Sequence, residues 1–406
     1  ELLTQVRSGS MPPTDTGLTT EQVQVLEEWI QAQAPWVDGE PDAQALKLAP
    51  IVDDSSFLRR LFLDTVGIPP SLEEIAEFRS DQRPDKRARW AERMLDDSRV
   101  AEHQMGFWQD LLAENPTLVN ASMGSTGPFR WFLYEALQDN KPLDRMVTEL
   151  ILMRGSVATG GSAAFGLAGE SDAPLADKAS SLASAFLGVQ MQCARCHDAP
   201  FHSTTQADLY SLAAMLSREE LQVPKTSRVP AAFFEQSERA SLIQVTLRPD
   251  SRLKPLWTLA PEVDADLTSQ LESLLLQPDD TREQLALLIT APTNNRFARV
   301  MVNRLWQRLM GAAIVEPMDD WEGGEPSHPQ LLDWLARQLI VHDYNMRALM
   351  RIIMTSQAYQ REAIGHNREA PPKSRYFNAP ARRRMSAEQV VDALHSVTGK
   401  PMDCEE

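Results

Sequence analysis

Two cysteines and a histidine fall within one five-residue stretch, Cys193-Ala194-Arg195-Cys196-His197. Two thiols three residues apart on one turn can add to the two vinyl groups of a haem. The next residue, His197, then lies under the iron as its proximal ligand. In a chain with three cysteines and seven histidines, composition alone predicts about 4 × 10⁻⁴ such motifs. The stretch therefore predicts one covalently attached c-type haem with His197 as an iron ligand.

Other chemistries are compatible with the same residues. A dithiol redox pair uses Cys193 and Cys196 but requires no following histidine. A zinc site would combine both cysteines with His197 or His202 and a distant ligand. A structural disulfide is the simplest alternative, although a disulfide framework normally has more cysteines with wider spacing.

The sixth iron position decides the chemistry of such a haem. A methionine ligand raises the reduction potential and suits electron transfer, whereas an open position permits reactions with peroxide or oxygen. His202 is too close in sequence to reach the opposite face of the haem, so we expect it at the surface or beside the ligands. Core packing is the first expectation for Met191 and Met215. Tertiary folding would have to bring in any of the remaining histidines: His103, His328, His342, His366 and His395.

Met11 stands before Pro12-Pro13 in a turn-rich loop, ahead of an amphipathic helix with Val23, Leu26 and Ile30 on one face. Small cytochromes supply their axial methionine in this way. Met11 is either an axial ligand of a second haem, attached upstream of Glu1, or an ordinary loop residue.

The elements that must position the motif are helical. Capping boxes are expected at Ser71–Glu74 and at Ser386–Gln389, and Thr204 or Thr205 with Asp208 begins a further helix. Alternating apolar residues around Leu242–Leu247 form the one plausible β region. We predict a mainly α fold: a short unit at 1–36, a linker at 37–50, a helical domain at 51–219 that carries the motif, a small β or irregular insert at 220–280, and a C-terminal helical domain at 281–406.

Charge and hydropathy restrict the partners. The formal net charge of −17 argues against nucleic acid and anionic membranes as partners and suits a basic redox partner. No run of about 20 apolar residues is present, so we expect no membrane span. The start at Glu1-Leu2-Leu3 is typical of a processed or cut end whose targeting segment is missing.

The surroundings of the motif resemble the planctomycete-type cytochrome proteins, which pair two families of unknown function. The first family is matched by residues 59–70, 139–145 and 187–198, and the second by residues 295–306, 326–329, 355–359 and 383–389. Residues 11–36 resemble the tail of the cytochrome c domain that often precedes them. The resemblance implies an extracytoplasmic haem-bearing protein and supplies no substrate. Family members often have a second histidine two residues after the proximal one; Ala199 stands there in this chain.

Three functions follow as hypotheses. The first is electron transfer through a six-coordinate haem. The second is a haem-dependent, peroxidase-like oxidoreductase with an open distal side, since the chain is far larger than one electron-transfer haem requires. The third is a binding or assembly module in which the haem is structural.

Polar and aromatic residues of the second family's segment allow two interpretations. They either line a haem pocket or a sugar-binding cleft, or they pack and cap helices, and helix packing is the first expectation. The residues are Asn303, Arg304, Trp306, Asp319, Asp320 and His328.

Overall fold

The computed structural model describes residues 48–112, 127–156, 161–167, 173–224, 245–248, 250–259, 273–365 and 376–400. Within these ranges it has thirteen α-helices and one two-stranded ribbon, which confirms the prediction of a mainly α fold. No helix in the described ranges is both long enough and apolar enough to cross a membrane. Met11, the predicted linker up to residue 47, His366 and Cys404 lie outside the described residues.

Four helices form the first layer of the fold: α1 (Asp54–Thr65), α2 (Leu72–Ser80), α3 (Lys86–Leu95) and α4 (Arg99–Leu111). The capping box predicted at Ser71 is present, because its hydroxyl accepts from the backbone N–H of Glu74 and the Glu74 carboxylate accepts from that of Ser71. Asp53 caps α1 in a similar way through Ser56. Local sequence thus fixes where α1 and α2 begin.

The segment 128–153 reads as one helix in sequence, but the structure divides it into α5 (Gly127–Gln138) and α6 (Leu143–Leu152). Asn140 has a positive φ of 48°, and Pro142 follows two residues later. A left-handed residue ends a helix, and proline cannot continue one because it lacks the N–H. The apolar pattern does not reveal this break, because both helices bury apolar side chains.

The motif lies between α7 (Pro174–Leu182) and α8 (Gln206–Ser217). One wide helical turn, Ala183–Leu187, extends α7 and ends at Gly188, whose φ is +63°. Of the two candidate starts of α8, Thr204 and Thr205, the structure has Thr205, which forms a capping box with Asp208. The motif therefore lies on the connection between two buried, packed helices.

Within the described part of the predicted β insert, Leu221 pairs with Leu253 and Gln222 with Arg252 in a short antiparallel ribbon; its strands are β1 (Leu221–Gln222) and β2 (Arg252–Leu253). Residues 245–248 of the predicted alternating stretch form no strand, and residues 242–244 lie outside the described part.

Five helices follow: α9 (Thr281–Thr290), α10 (Asn295–Met310), α11 (Pro329–Val341), α12 (Met346–Thr355) and α13 (Ala387–Thr398). Helix α9 packs on α6, α12 packs on α3, and α10 packs on the turn Ala183–Leu187. One cluster of buried side chains accordingly runs from Val52 to Tyr359 through both halves of the chain. The C-terminal helices thus help to build the core that supports the motif.

Candidate functional site

Cys193 begins a single 3₁₀ turn, Cys193–Arg195, and Cys196 is the residue that ends it. The backbone N–H groups of Cys196 and His197 both donate to the carbonyl of Cys193, at 3.1 Å. A three-residue period brings residues i and i+3 onto the same side of such a turn. Ala194 is fully buried and anchors the turn in the core, whereas Cys193 is exposed and Cys196 is half-buried. In this structure the two thiols form no disulfide bond with each other.

His197 is held by its own neighbour. Its Nδ1 atom lies 2.8 Å from the backbone oxygen of Asp198. Because a carbonyl oxygen only accepts, Nδ1 carries the proton and Nε2 keeps a lone pair. This is the arrangement that metal-binding histidines use, with the second nitrogen fixed by a backbone carbonyl.

Hydrogen bonds to nearby parts of the chain hold residues 190–206 as a fixed loop. The hydroxyl of Tyr210 donates to the Arg195 carbonyl at 3.1 Å, and that of Thr204 donates to the Gln190 carbonyl at 3.0 Å. The carboxylate of Asp198 accepts from the backbone N–H of Gln206 and from the Thr246 hydroxyl, both at 2.8 Å. Asp198, the residue after His197, is therefore bonded to the beginning of α8.

Residues 319–322, between α10 and α11, form a bridging loop that contacts the motif-bearing loop from the other half of the chain. Asp320 meets the ring of His202 at 2.6 Å, and the carboxylate of Glu322 accepts from the backbone N–H of Ser203 at 2.8 and 3.0 Å. These contacts were absent from the sequence-based expectations. The one available signal was the charged run Asp319-Asp320-Trp321-Glu322.

Trp321 in the bridging loop packs against Gly188. Its backbone N–H donates to the Gly188 carbonyl at 2.8 Å, and a Cβ atom added to Gly188 would lie 2.6 Å from Cδ1 of the indole. The guanidinium of Arg296 covers the indole ring at 4.7 Å and donates to the Leu187 carbonyl at 2.8 Å. Only glycine satisfies both the positive φ and this close approach.

Asn303 and Arg304 have the structural role that was the first expectation. The Asn303 side chain donates to the Val315 carbonyl and accepts from the N–H groups of Ile314 and Val315. Arg304 donates to the carbonyls of Ser184 and Ala185 and pairs with Asp319 at 2.8 Å. Both side chains thus hold backbone, and Arg304 joins α10 to the turn before the motif.

The other candidate ligands are dispersed. Met191 and Met215 belong to the core, as expected. His328 is buried beside Phe377, its Nε2 atom has no hydrogen-bond partner, and burial lowers its pKa to about 4. Burial, together with the charge of Arg308, also lowers the pKa of His103 to about 4. His342 ends α11, and exposed His395 contacts the Lys400 carbonyl.

A second ligand set is not assembled around the motif in the described ranges. There, no three His, Cys, Asp or Glu side chains are grouped so that they could hold a metal ion. The residues that are present fit haem attachment in two respects: the thiols are free on one turn, and the Nε2 lone pair of His197 is available.

Comparison with known proteins gives two family matches. Residues 35–220, which include the motif, match the model described as "PSCyt2: Protein of unknown function (DUF1549)". Residues 281–405, which include the bridging loop, match "PSD1: Protein of unknown function (DUF1553)". No curated protein and no solved structure matches the chain. The chain thus has a segment similar to PSCyt2 followed by a segment similar to PSD1, the paired families typical of planctomycete-type proteins.

Proposed function

We propose that this chain is an extracytoplasmic c-type haem protein that transfers electrons, with thioether bonds at Cys193 and Cys196 and with His197 as proximal iron ligand. The observation that supports the proposal most is the motif turn itself, on which two free thiols are followed by a histidine whose Nδ1 is bonded to a backbone carbonyl. A dithiol redox pair would require no such histidine. The turn therefore favours haem over the other chemistries of a C-x-x-C pair.

A bound haem supplies one-electron redox chemistry; the chain supplies attachment and orientation. The hydrogen bond from Nδ1 of His197 to the Asp198 carbonyl fixes the orientation of the ring and leaves Nε2 as the nitrogen that would bind the iron. Asp198 is itself fixed by Gln206 and Thr246. The contacts of the bridging loop with His202 and Ser203 restrain the same loop from its other side, which limits rearrangement between redox states.

The charge and the family pairing support the remaining parts of this proposal. A net charge of −17 favours a basic redox partner. The resemblance to planctomycete-type cytochrome proteins supports an extracytoplasmic location. Met11 remains a candidate axial ligand of a second haem, attached upstream of Glu1.

A second candidate function is a haem-dependent oxidoreductase with an open distal side. It is favoured by a cleft of about 470 Å³ that is lined by residues on both sides of the motif, including Val189 and Ser203. That volume lies within the range of small-molecule sites. In this case His197 keeps its proximal role.

The test is the optical spectrum of the chain produced with a cytochrome c maturation system. We expect a pyridine haemochrome with the band position of a thioether-linked haem, and covalent haem should be lost in Cys193→Ala combined with Cys196→Ala. The matched control is Cys404→Ala, which should retain the haem. Absence of covalent haem from the wild-type chain would overturn the proposal.

Carbon monoxide then separates the two candidate functions. If it leaves the reduced spectrum unchanged, both axial positions are filled and electron transfer stands. Ready binding would instead show an open distal side and support the oxidoreductase.

A further inference from the structure

A cleft of about 470 Å³ opens beside the motif-bearing loop, and neither of the motif cysteines nor His197 is among its lining residues. Distant parts of the chain come together around it. Its lining includes Gly188, Ser203 and Asp208 from the first segment, Trp257 and Thr258 after the β ribbon, and Asn294, Arg296 and Glu322 from the second segment.

The charged groups of the cleft are fixed before any ligand arrives. Asp208 is held in the capping box with Thr205, and Glu322 accepts two hydrogen bonds from the backbone N–H of Ser203. Arg296 is held by the Leu187 carbonyl and by the ring of Trp321. Such a preformed set costs little ordering when a ligand binds.

The balance of these charges selects the kind of ligand. Two carboxylates and one guanidinium give the lining one net negative charge, so an anion would be repelled by Asp208 and Glu322. A cation would be repelled by Arg296 and by the positive end of α10, which begins at Asn295. A neutral ligand whose groups both donate and accept hydrogen bonds suits both kinds of side chain, and hydroxyl groups do so.

Trp257 provides an apolar surface on the cleft. Its ring is half-buried there, whereas its Nε1 atom is fully buried and has no hydrogen-bond partner among the described residues. The exposed part of the ring can pack against an apolar C–H face of a ligand, and the polar groups around it suit hydroxyl edges of the same ligand.

We infer that this cleft is a binding site for a neutral saccharide. One sugar ring packs its C–H face on Trp257, and its hydroxyls bridge the carboxylates and Arg296. The inference does not rest on electron transfer or on haem attachment, because no residue of the cleft belongs to the attachment motif.

The test is isothermal titration calorimetry of the full chain with neutral cello-, malto-, xylo- and manno-oligosaccharides. At least one should bind at millimolar concentration or below. Trp257→Ala should weaken that binding by about tenfold or more, because it removes the ring face on which the sugar packs. Trp131→Ala is the matched control: Trp131 is exposed and stacked on Tyr134, it does not line the cleft, and affinity should not change.

Trp257→Phe separates the ring face from the rest of the side chain. It keeps an aromatic face at this position, so it should retain most of the affinity that Trp257→Ala loses. An equal loss of affinity in the two variants would show that the ring face does not bind the sugar.

Binding by the variant that combines Cys193→Ala with Cys196→Ala should equal that of the wild type, so failure of the haem proposal would leave this one standing. Failure of every neutral oligosaccharide to bind would overturn it. So would Trp257-dependent binding of glucuronate or phosphate in place of the neutral sugars, because that would identify an anion site.

Discussion

The Nε2 atom of His202 lies 2.6 Å from Oδ2 of Asp320, although 118 positions separate the two residues in the chain. His202 belongs to the motif-bearing loop of the PSCyt2 segment and Asp320 to the bridging loop of the PSD1 segment. The second segment therefore completes the support of the first segment's motif.

Removal of this contact should loosen the motif loop. We expect Asp320→Ala to lower the free energy of unfolding by about 1–3 kcal/mol, because both side chains are mostly shielded from water and the bond is charge-assisted. It should also increase the rate at which Cys193 reacts with a thiol reagent in the haem-free chain. The control is Glu92→Ala, which breaks an exposed pair with Arg351 and should cost about 1 kcal/mol or less. Equal effects of the two variants would mean that the bridging loop gives the motif no special support.

Gly188→Ala should lower the free energy of unfolding by more than its left-handed backbone conformation alone would cause. At Gly188 the φ is +63°, and the new Cβ would lie 2.6 Å from Trp321. Gly399 has the same φ with open space around it, so Gly399→Ala measures the left-handed strain alone, about 1–2 kcal/mol. Chemical denaturation should show Gly188→Ala to be less stable than Gly399→Ala by at least about 1 kcal/mol. Equal losses would show that Trp321 moves away without cost.

His328 should make stability depend on pH in the acidic range. Burial lowers its pKa from 6.5 to about 4 in the folded chain, so between these values the unfolded chain binds more protons. The free energy of unfolding therefore falls as pH decreases from about 6.5 to about 4, and His328 contributes up to roughly 3 kcal/mol of that loss. His328→Gln should flatten the decline measured by urea denaturation across this range, and His103→Gln should do so for the same reason. A His328→Gln profile that overlaid the wild type would refute the buried neutral imidazole.

Asp64 should be important for joining the two segments. Its carboxylate accepts from Arg383 at 2.7 and 2.8 Å and from the Tyr359 hydroxyl at 2.8 Å. Asp64→Ala leaves the Arg383 guanidinium without this partner and should cost about 3–5 kcal/mol in thermal or chemical unfolding. Tyr359→Phe removes one bond and should cost about 1 kcal/mol. Arg145→Ala, in an exposed pair on α6, should change stability by about 0.5 kcal/mol or less. A loss in Asp64→Ala as small as that of Arg145→Ala would show that the contact does not hold the segments together.

Local sequence was sufficient for several features because short-range chemistry determines them. The spacing of Cys193, Cys196 and His197 defined the candidate haem site. The capping boxes predicted at Ser71 and Ser386 are present, and the helix start predicted at Thr204 or Thr205 lies at Thr205, since each joins a side chain to backbone only three residues away. The mainly α fold followed from apolar periodicity in the same way.

Only the tertiary structure decided which distant residues meet the motif loop. Asp320 reaches His202 and Trp321 packs on Gly188 because α10 packs against the turn before the motif, and no local pattern encodes that packing. The burial of His328 and the unpaired donor of Trp257 likewise depend on chain segments far away in sequence. The sequence by itself determined the chemistry available to the motif, whereas long-range packing determined its supports and placed a cleft beside it.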